Sequence, residues 1–529
     1  MSNNSRNVAR AAGIVMFAIL VSRVLGFVRE RAVAEVFGRT GVTDVFFAAF
    51  ALPDLMYQLL VGGALSSAFI PVFTQYLAQD KEEEAWYVAS TFINLTGILL
   101  FIFMVFGMIF TPSLAPLVGY GFVGEQRQLL VTLMRITFPA VFFTALSGLE
   151  MGILNSYQKF TMPALGPIFY NASQILGAYL LGPIIGIMGM ALGTVAGSFG
   201  SFSLQFPTVL RKARFYRPVI DLKHPGIRKM ARLMIPALIG LSIAQINLII
   251  AQNLASLLEE GSIVSLRLAN RLIHFPLGVF AMGISTAIFP TLARLVATNE
   301  ISEFRRTFSF GLRVVFFITL PSAVGMAALR EPIVRLLFES GEFTAADTQA
   351  TAFPLLFYSV GLFAQSGIQI LVRVFYSLQD TITPVKIGLF TVVVNFLLSI
   401  SFLQWTTLGA GGLALAFSLT SIVNMLVFLY MLRKKFGGID GRRLFSSFWR
   451  AAVAALVMGI MAFYFSQWVV PYLDLTRGLG RLVQTFGSIS IGIFVYLALS
   501  LLLKMEEPWF VLNMIQERVK RRKGKGSES

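Results

Sequence analysis

The feature of this sequence that most constrains its fold is a series of long apolar segments. Hydrophobic residues make up 56% of the 529-residue chain and charged residues only 13%, against roughly 25% charged residues in soluble domains. About fourteen segments are long and apolar enough to cross a bilayer as a helix. We therefore predict an all-α polytopic membrane protein with about 14 transmembrane helices. The segments cover residues 11–37, 43–77, 86–112, 127–154, 161–183, 185–210, 228–256, 262–297, 306–329, 348–376, 384–405, 409–434, 445–472 and 480–504.

The basic residues indicate the orientation of the chain. The net charge is +17, and 20 of the 43 Lys and Arg residues lie in segments 211–232, 433–450 and 518–526. With fourteen spans, all three segments face the same side as the N-terminus, and the positive-inside rule makes that side cytoplasmic. The charge thus points to a membrane surface and not to nucleic acid. All five tryptophans fall near span ends, as in an aromatic belt.

The sequence contains an internal repeat. Residues 66–84 align with 285–303, and the pattern S-x-Q-x-x-x-x-P occurs at 156–163 and again at 377–384, at almost the same offset. Each copy holds six spans, an even number, so both copies enter the membrane from one side and form a parallel repeat. We expect two six-helix lobes around a central cavity, followed by two additional helices.

These patterns divide the chain into five predicted parts. They are an N-lobe (1–210), a basic cytoplasmic segment between the lobes (211–232), a C-lobe (233–434), helices 13 and 14 (435–504) and a basic cytoplasmic tail (505–529).

Charged residues inside the predicted spans are the candidate functional groups. Arg23 would lie about 18 Å into the first span, and Arg29 and Arg271 also fall within spans. Such charges nearly always face a bundle interior or water. Carboxylates accompany them at Glu30, Asp44, Asp54 and Glu150. One interpretation is that the charges only neutralise one another, for example Arg23 with Glu30.

The composition argues against catalysis. The chain has no cysteine and only two histidines, His224 and His274, so it cannot form disulfides, thiolate metal sites or a multi-histidine metal site. We predict that the protein is not an enzyme and needs no metal or other cofactor.

Several motifs together resemble the MurJ (MviN) family of lipid II flippases, within the multidrug/oligosaccharidyl-lipid/polysaccharide exporter superfamily. They occur in family order across the first twelve spans, and the two additional spans also fit. The motifs are SRVLGFVRE (22–30), TDVFFAAFALPDL (43–55), GALSSAFIPVF (63–73), LNSYQKFTMPALGPIFYN (154–171), ANRLIHFPLGVF (269–280), LFESGEFT (337–344) and FYSLQDTITPVK (375–386).

The resemblance implies a function in peptidoglycan biosynthesis. It implies alternating access by two lobes that carry lipid II, an undecaprenyl-diphosphate-linked disaccharide-pentapeptide, from the cytoplasmic to the outer leaflet of the bacterial inner membrane. Family arginines at the positions of Arg23, Arg29 and Arg271 would bind the diphosphate, because a guanidinium donates two parallel hydrogen bonds to phosphate oxygens. Glu30, Asp44, Asp54 and His274 would line or gate the cavity. The last two spans would form a groove for the polyprenyl tail.

The chain departs from the family pattern at several positions. Many relatives carry paired arginines in the second span, where this chain has Asp54, Tyr57 and Gln58. His274 replaces a glutamate found in some relatives. Sodium-coupled relatives place a carboxylate in the seventh span, and none occurs here between Ile235 and Leu258. The sequence therefore leaves the coupling ion open.

Two other functions stay open at this point. The same fold could export another polyprenyl-linked glycan or a drug, although arginines in the cavity disfavour a cationic drug. A non-transporting membrane scaffold could instead gather cell-wall synthases through its basic loops. We expect lipid II and membrane lipids as partners, contacts with cell-wall synthases as an option, and no nucleic acid.

Overall fold

The computed structural model describes the backbone of residues 3–508 and their side chains except at 3–12, 14, 61, 64 and 244. The predicted tail falls mostly outside this range. Within it every regular element is helical. Thirteen helices, α2–α14, are long and apolar enough to cross a membrane, and together with α1 they correspond one to one to the predicted segments. The helices are α1 (Asn3–Phe37), α2 (Gly41–Leu77), α3 (Glu82–Val118), α4 (Gly124–Ser156), α5 (Thr161–Ile185), α6 (Ile187–Leu210), α7 (Pro225–Ala255), α8 (Ser262–Ala297), α9 (Ile301–Ala328), α10 (Ala345–Ser377), α11 (Ile382–Trp405), α12 (Ala410–Phe436), α13 (Gly441–Tyr472) and α14 (Gly478–Leu502).

The predicted all-α membrane fold is confirmed: thirteen helices meet the length and composition needed to cross a membrane among the described residues, and α1 forms the helix predicted for the first segment. Four of the thirteen spans are not uniformly α-helical. The helices α2, α5 and α8 contain π-helical segments at Gln58–Phe69, Gly177–Leu181 and Leu277–Ala281, and α13 ends in a 3-10 helix at Val470–Tyr472. A further short helix, Arg330–Phe338, follows α9.

The turns between helices repeat as the sequence repeats. Asp80 and Asn299 occupy equivalent positions within the first pair of aligned segments, and both adopt a left-handed backbone, with φ of +57° and +58°. Gln158 and Gln379 in the S-x-Q-x-x-x-x-P pairs do the same, at +58° and +57°. At each of the four turns, the left-handed residue and the next one donate N–H groups to the last carbonyls of the preceding helix, as in a Schellman cap. The two copies thus end corresponding helices in the same way.

The helices group into two compact units. Unit 1 contains the described chain up to Val264, including α1–α7, and residues 340–344, and unit 2 contains Ser265–Glu339 and the described chain from Ala345. We predicted α7 to begin the second lobe, but it packs with unit 1. Its Asn253 amide donates to the Pro116 carbonyl at 2.8 Å, and the Leu238 side chain covers Gly63. The role of 211–232 as a segment between the sequence repeats stays a prediction.

Small residues allow close helix packing in unit 1. A Cβ atom on Gly193 would lie 2.6 Å from the Ser173 carbonyl oxygen, and one on Gly197 would lie 2.9 Å from that of Tyr170. The GTVAG sequence therefore brings α6 against the backbone of α5, as small-xxx-small pairs do in membranes.

An aromatic cluster forms the core of unit 1 near the α2–α3 turn. Trp86 is 1% exposed, packs against Phe73, and donates from Nε1 to the Tyr157 hydroxyl at 2.8 Å. The aromatic-belt prediction is therefore wrong for Trp86, whose indole N–H is satisfied inside the protein. Trp405, Trp449 and Trp468 are exposed, and Trp509 lies outside the described residues.

Helices α13 and α14 complete unit 2. They pack on each other and against α9. The Tyr496 hydroxyl of α14 donates to the Phe317 carbonyl of α9 at 2.7 Å, and Gly459 of α13 lies against Val324. The predicted lipid-tail groove stays a prediction.

Candidate functional site

The two arginines of α1 occupy different environments. Arg29 is largely buried, with 17% of its side chain exposed, and its Nη2 donates to Oε1 of Glu30 at 2.6 Å. Arg23 is exposed. The six-residue spacing explains the difference, because it turns the two side chains about 120° apart on a helix. The ion pair that the structure forms with Glu30 therefore involves Arg29.

Asn171 of α5 holds the other side of the Arg29 guanidinium. Its Oδ1 accepts a hydrogen bond from Nη1 of Arg29 at 3.2 Å. The Asn171 amide nitrogen donates in turn to the Pro167 carbonyl at 2.8 Å, which is one helical turn earlier in α5. The two bonds of Arg29 use two of the five N–H groups that a guanidinium carries. Arg29 is thus oriented by the protein while retaining donors for another acceptor.

Asp44 forms a helix cap. It is 3% exposed, and its two carboxylate oxygens accept backbone N–H groups from Gly261 at 2.6 Å and Val264 at 2.8 Å. These N–H groups belong to the start of α8, where backbone donors lack partners within the helix and the helix dipole favours a negative charge. A gating role for Asp44 stays a prediction.

The remaining predicted carboxylates of unit 1 differ in exposure. Asp54 is exposed on the fourth turn of α2. Glu150 of α4 is 5% exposed and fully inside a span.

In unit 2, the predicted residues lie on one face of α8. Arg271 and His274 are both exposed and three residues apart, a spacing that makes side chains neighbours on a helix. Arg267 precedes Arg271 by four residues and extends this polar face. The sequence could have identified it, because Arg267, like Arg271, is a charged residue inside the predicted span 262–297.

The structure brings together Arg29, Glu30 and Asn171 in unit 1, and Arg271 with His274 in unit 2. Asn171 was missed in the sequence because a single amide in a span carries no signal without its partner. Within residues 3–508 no group of three or more His, Asp or Glu side chains is placed to hold a metal ion.

Membrane-crossing helices in two repeated sets, with arginine and carboxylate side chains inside the spans, define the class of multi-spanning membrane transporters. The family model described as lipid II flippase MurJ matches residues 33–477. The chain belongs to this family and is a multi-pass protein of the bacterial inner membrane.

Individual relatives agree with this assignment. A "Probable lipid II flippase MurJ" of Vibrio cholerae is 35% identical over 432 residues, covering 80% of this chain and 82% of that protein. The "Lipid II flippase MurJ" of Burkholderia cenocepacia is 31% identical over 438 residues, covering 81% and 84%.

Solved structures support the same fold. One titled "Lipid II flippase MurJ, inward closed conformation" matches with a TM-score of 0.75 at 27% identity, covering 92% of this chain and 97% of that chain. An inward-facing multidrug resistance MATE transporter of the MOP superfamily matches with a TM-score of 0.68, covering 82% and 99%. Its identity is 14%, so this second likeness concerns the fold alone.

Proposed function

We propose that this protein translocates lipid II from the cytoplasmic to the outer leaflet by alternating access, without covalent chemistry. The observation that carries the proposal is family membership over residues 33–477 combined with a largely buried arginine, Arg29, held inside a membrane helix. Charges in spans are costly and mark substrate paths or relays. A flippase for a lipid with a charged headgroup needs such a group.

Arg29 supplies the chemistry that a diphosphate requires. Its charge persists at any physiological pH, and its planar fork matches two phosphate oxygens. Glu30 and Asn171 fix the guanidinium plane on one side, so binding the diphosphate loses little side-chain freedom. The diphosphate can also compete with Glu30 for the same N–H groups.

We propose that Arg23 and Arg271 contribute further donors to the diphosphate. Both side chains are exposed on their helices. His274, one turn after Arg271, would contact the same headgroup, and Asp54 would line the path. The arginines disfavour a cationic drug, because like charges repel in a site of low dielectric.

The orientation follows from charge. We propose that both termini and the basic segments 211–232 and 433–450 face the cytoplasm. Cell-wall synthases that use lipid II on the outer side would then contact the outer loops.

Depletion of the protein in its host tests the function directly. Lipid II should accumulate in the inner leaflet, out of reach of an added impermeant enzyme that cleaves its diphosphate link. Re-expression of the chain should restore cleavage. Normal access of the enzyme to lipid II during depletion, with misplaced synthases, would instead support a scaffold.

A further inference from the structure

Glu150 is a buried carboxylate that the diphosphate site does not use. It lies in α4 about 9 Å along the helix from the last residue, Ser156. Both of its carboxylate oxygens are buried, and neither has a hydrogen-bond partner in the part of the chain that the structure describes. A lone ionised carboxylate is costly in such a place, whereas a protonated one is tolerated.

A second buried polar group, on the helix α6 that packs against α4, lacks a hydrogen-bond donor among the described residues. Gln205 of α6 is 2% exposed. Its Nε2 donates to the Ser147 hydroxyl at 2.6 Å and to the Ser201 carbonyl at 3.3 Å. Because a carbonyl can only accept, this contact fixes which end of the amide is nitrogen. The other end, Oε1, is buried and receives no hydrogen bond from any described residue.

The two unsatisfied groups are chemically complementary. Ser147 binds Gln205 and precedes Glu150 by three residues, a spacing that places Cβ atoms about 5–6 Å apart on a helix. A protonated carboxyl group offers one O–H donor, and Gln205 Oε1 needs one. An ionised Glu150 has no donor to offer, so its two oxygens and Gln205 Oε1 would all remain acceptors without a donor.

Polar packing continues along the same helix interface. The Ser147 hydroxyl is 2.8 Å from that of Ser201, and one turn earlier the Thr144 hydroxyl donates to Ser198 at 2.8 Å. Gly166 of α5 borders this row, since a Cβ there would lie 2.5 Å from the Ser201 hydroxyl oxygen. By helical spacing, Glu150 follows Thr144 and Ser147 on the face of α4 that carries this row.

No basic side chain on the packed helices compensates Glu150. Helix α6 and the π-helical segment of α2 contain no titratable residue. On α4 itself, the basic residues nearest in sequence within the helix are Arg127 and Arg135, the latter about 22 Å away along the axis. The titratable and charged groups on α4 and on the helices packed against it are Asp44, Asp54, Tyr57 and Tyr76 of α2, Glu82, Glu83, Glu84 and Tyr87 of α3, Tyr170 and Tyr179 of α5, and Glu125, Arg127 and Arg135 of α4.

We propose that Glu150 is a proton-binding site of the transporter, with Gln205 as the acceptor for its O–H group. Glu150 takes a proton from water, holds it while the carboxyl group is buried, and returns it to water when the transport cycle hydrates the group. In each transfer one O–H bond forms and another breaks, and no group is oxidised or reduced. The coupling to a cycle rests on the proposed function, whereas proton binding itself does not.

Infrared titration of the full chain in lipid nanodiscs tests the proton binding. We expect a protonated carboxyl band at neutral pH that is absent in Glu150→Gln. Glu125→Gln is the matched control, because Glu125 is exposed on the first turn of the same helix, and it should retain the band. Gln205→Leu should shift the band by removing its hydrogen-bond acceptor. An ionised Glu150 at neutral pH would overturn the proposal.

Vesicle transport tests the coupling. In proteoliposomes with the membrane potential clamped, a pH gradient should change the rate of lipid II translocation severalfold in the wild type and in Glu125→Gln, but not in Glu150→Gln. An equal gradient response in Glu150→Gln would overturn the coupling. Absence of translocation in the wild type would contradict the proposed function instead, and the infrared titration would then decide the proton site alone.

Discussion

Arg29 and Glu30 are adjacent in the sequence and form an ion pair on helix α1, with 2.6 Å between Nη2 and Oε1. Adjacent residues on a helix point about 100° apart, so the pair forms because the long arginine side chain bends back to the carboxylate. Asn171 holds the guanidinium from a second helix. The Arg29 guanidinium is therefore held from two helices.

The first prediction separates charge balance from substrate binding. Arg29→Ala should lower the amount of folded protein, because removing one partner of a buried pair costs about 3–5 kcal/mol. The double variant Arg29→Ala with Glu30→Ala should recover the protein level without recovering translocation. Recovery of both would mean that Arg29 serves only to neutralise Glu30. Arg31→Ala is the control, because Arg31 lies on the same helix with 48% of its side chain exposed.

The second prediction concerns the cap supplied by Asp44. Asp44→Ala should destabilise the protein by about 2 kcal/mol, because it leaves the N–H groups of Gly261 and Val264 without their acceptor. Asp44→Asn keeps one acceptor oxygen and should cost about half as much. Thermal unfolding in detergent measures both. Equal stability of Asp44→Ala and wild type would contradict the cap.

The third prediction concerns the repeated turns. Gln158 and Gln379 have left-handed backbones, a conformation that glycine adopts without strain. Gln158→Gly and Gln379→Gly should be neutral or stabilising by up to about 1 kcal/mol, whereas Gln379→Val should destabilise. Gln128→Gly, at an exposed right-handed helix position, should instead cost about 1 kcal/mol. An equal effect of the glycine substitution at Gln158 and Gln379 would show that the two turns are equivalent in energy as well as in geometry.

The fourth prediction concerns topology. Because the chain has no cysteine, single cysteines give a clean signal with an impermeant thiol reagent on intact cells. Lys223→Cys and Lys434→Cys should be protected, and Val123→Cys, which is 72% exposed before α4, should react. Gly341 should not be used as an outer labelling site, because its φ is +58° and the Cβ of a cysteine there would lie 2.3 Å from the Glu35 carbonyl oxygen. Labelling of Lys223→Cys from outside would reverse the orientation.

Apolar length and local turn signals made the fold predictable. Every predicted segment is a helix because a chain in lipid must satisfy its backbone within each span, and the S-x-Q-x-x-x-x-P pairs marked equivalent turns. The grouping of α7 with unit 1 could not be predicted, because it depends on contacts such as that of Asn253 with Pro116.

The candidate site was predictable only in part. Arg29 and Arg271 stood out because charge is rare in spans. Periodicity does not show which acceptor a long side chain reaches, so the pairing of Arg29 with Glu30 and Asn171 required the structure. Likewise, only packing shows that the Glu150 carboxylate and Gln205 Oε1 have no hydrogen-bond partner among residues 3–508.

The central claim is most directly tested by translocation of labelled lipid II in proteoliposomes that contain only this protein. We expect the wild type to move lipid II into the leaflet that an impermeant diphosphate-cleaving enzyme reaches, Arg31→Ala to match it, and Arg29→Lys to retain only part of the rate, because a point charge lacks the fork. Translocation no faster than in protein-free vesicles, with correctly folded and inserted wild-type protein, would contradict the account.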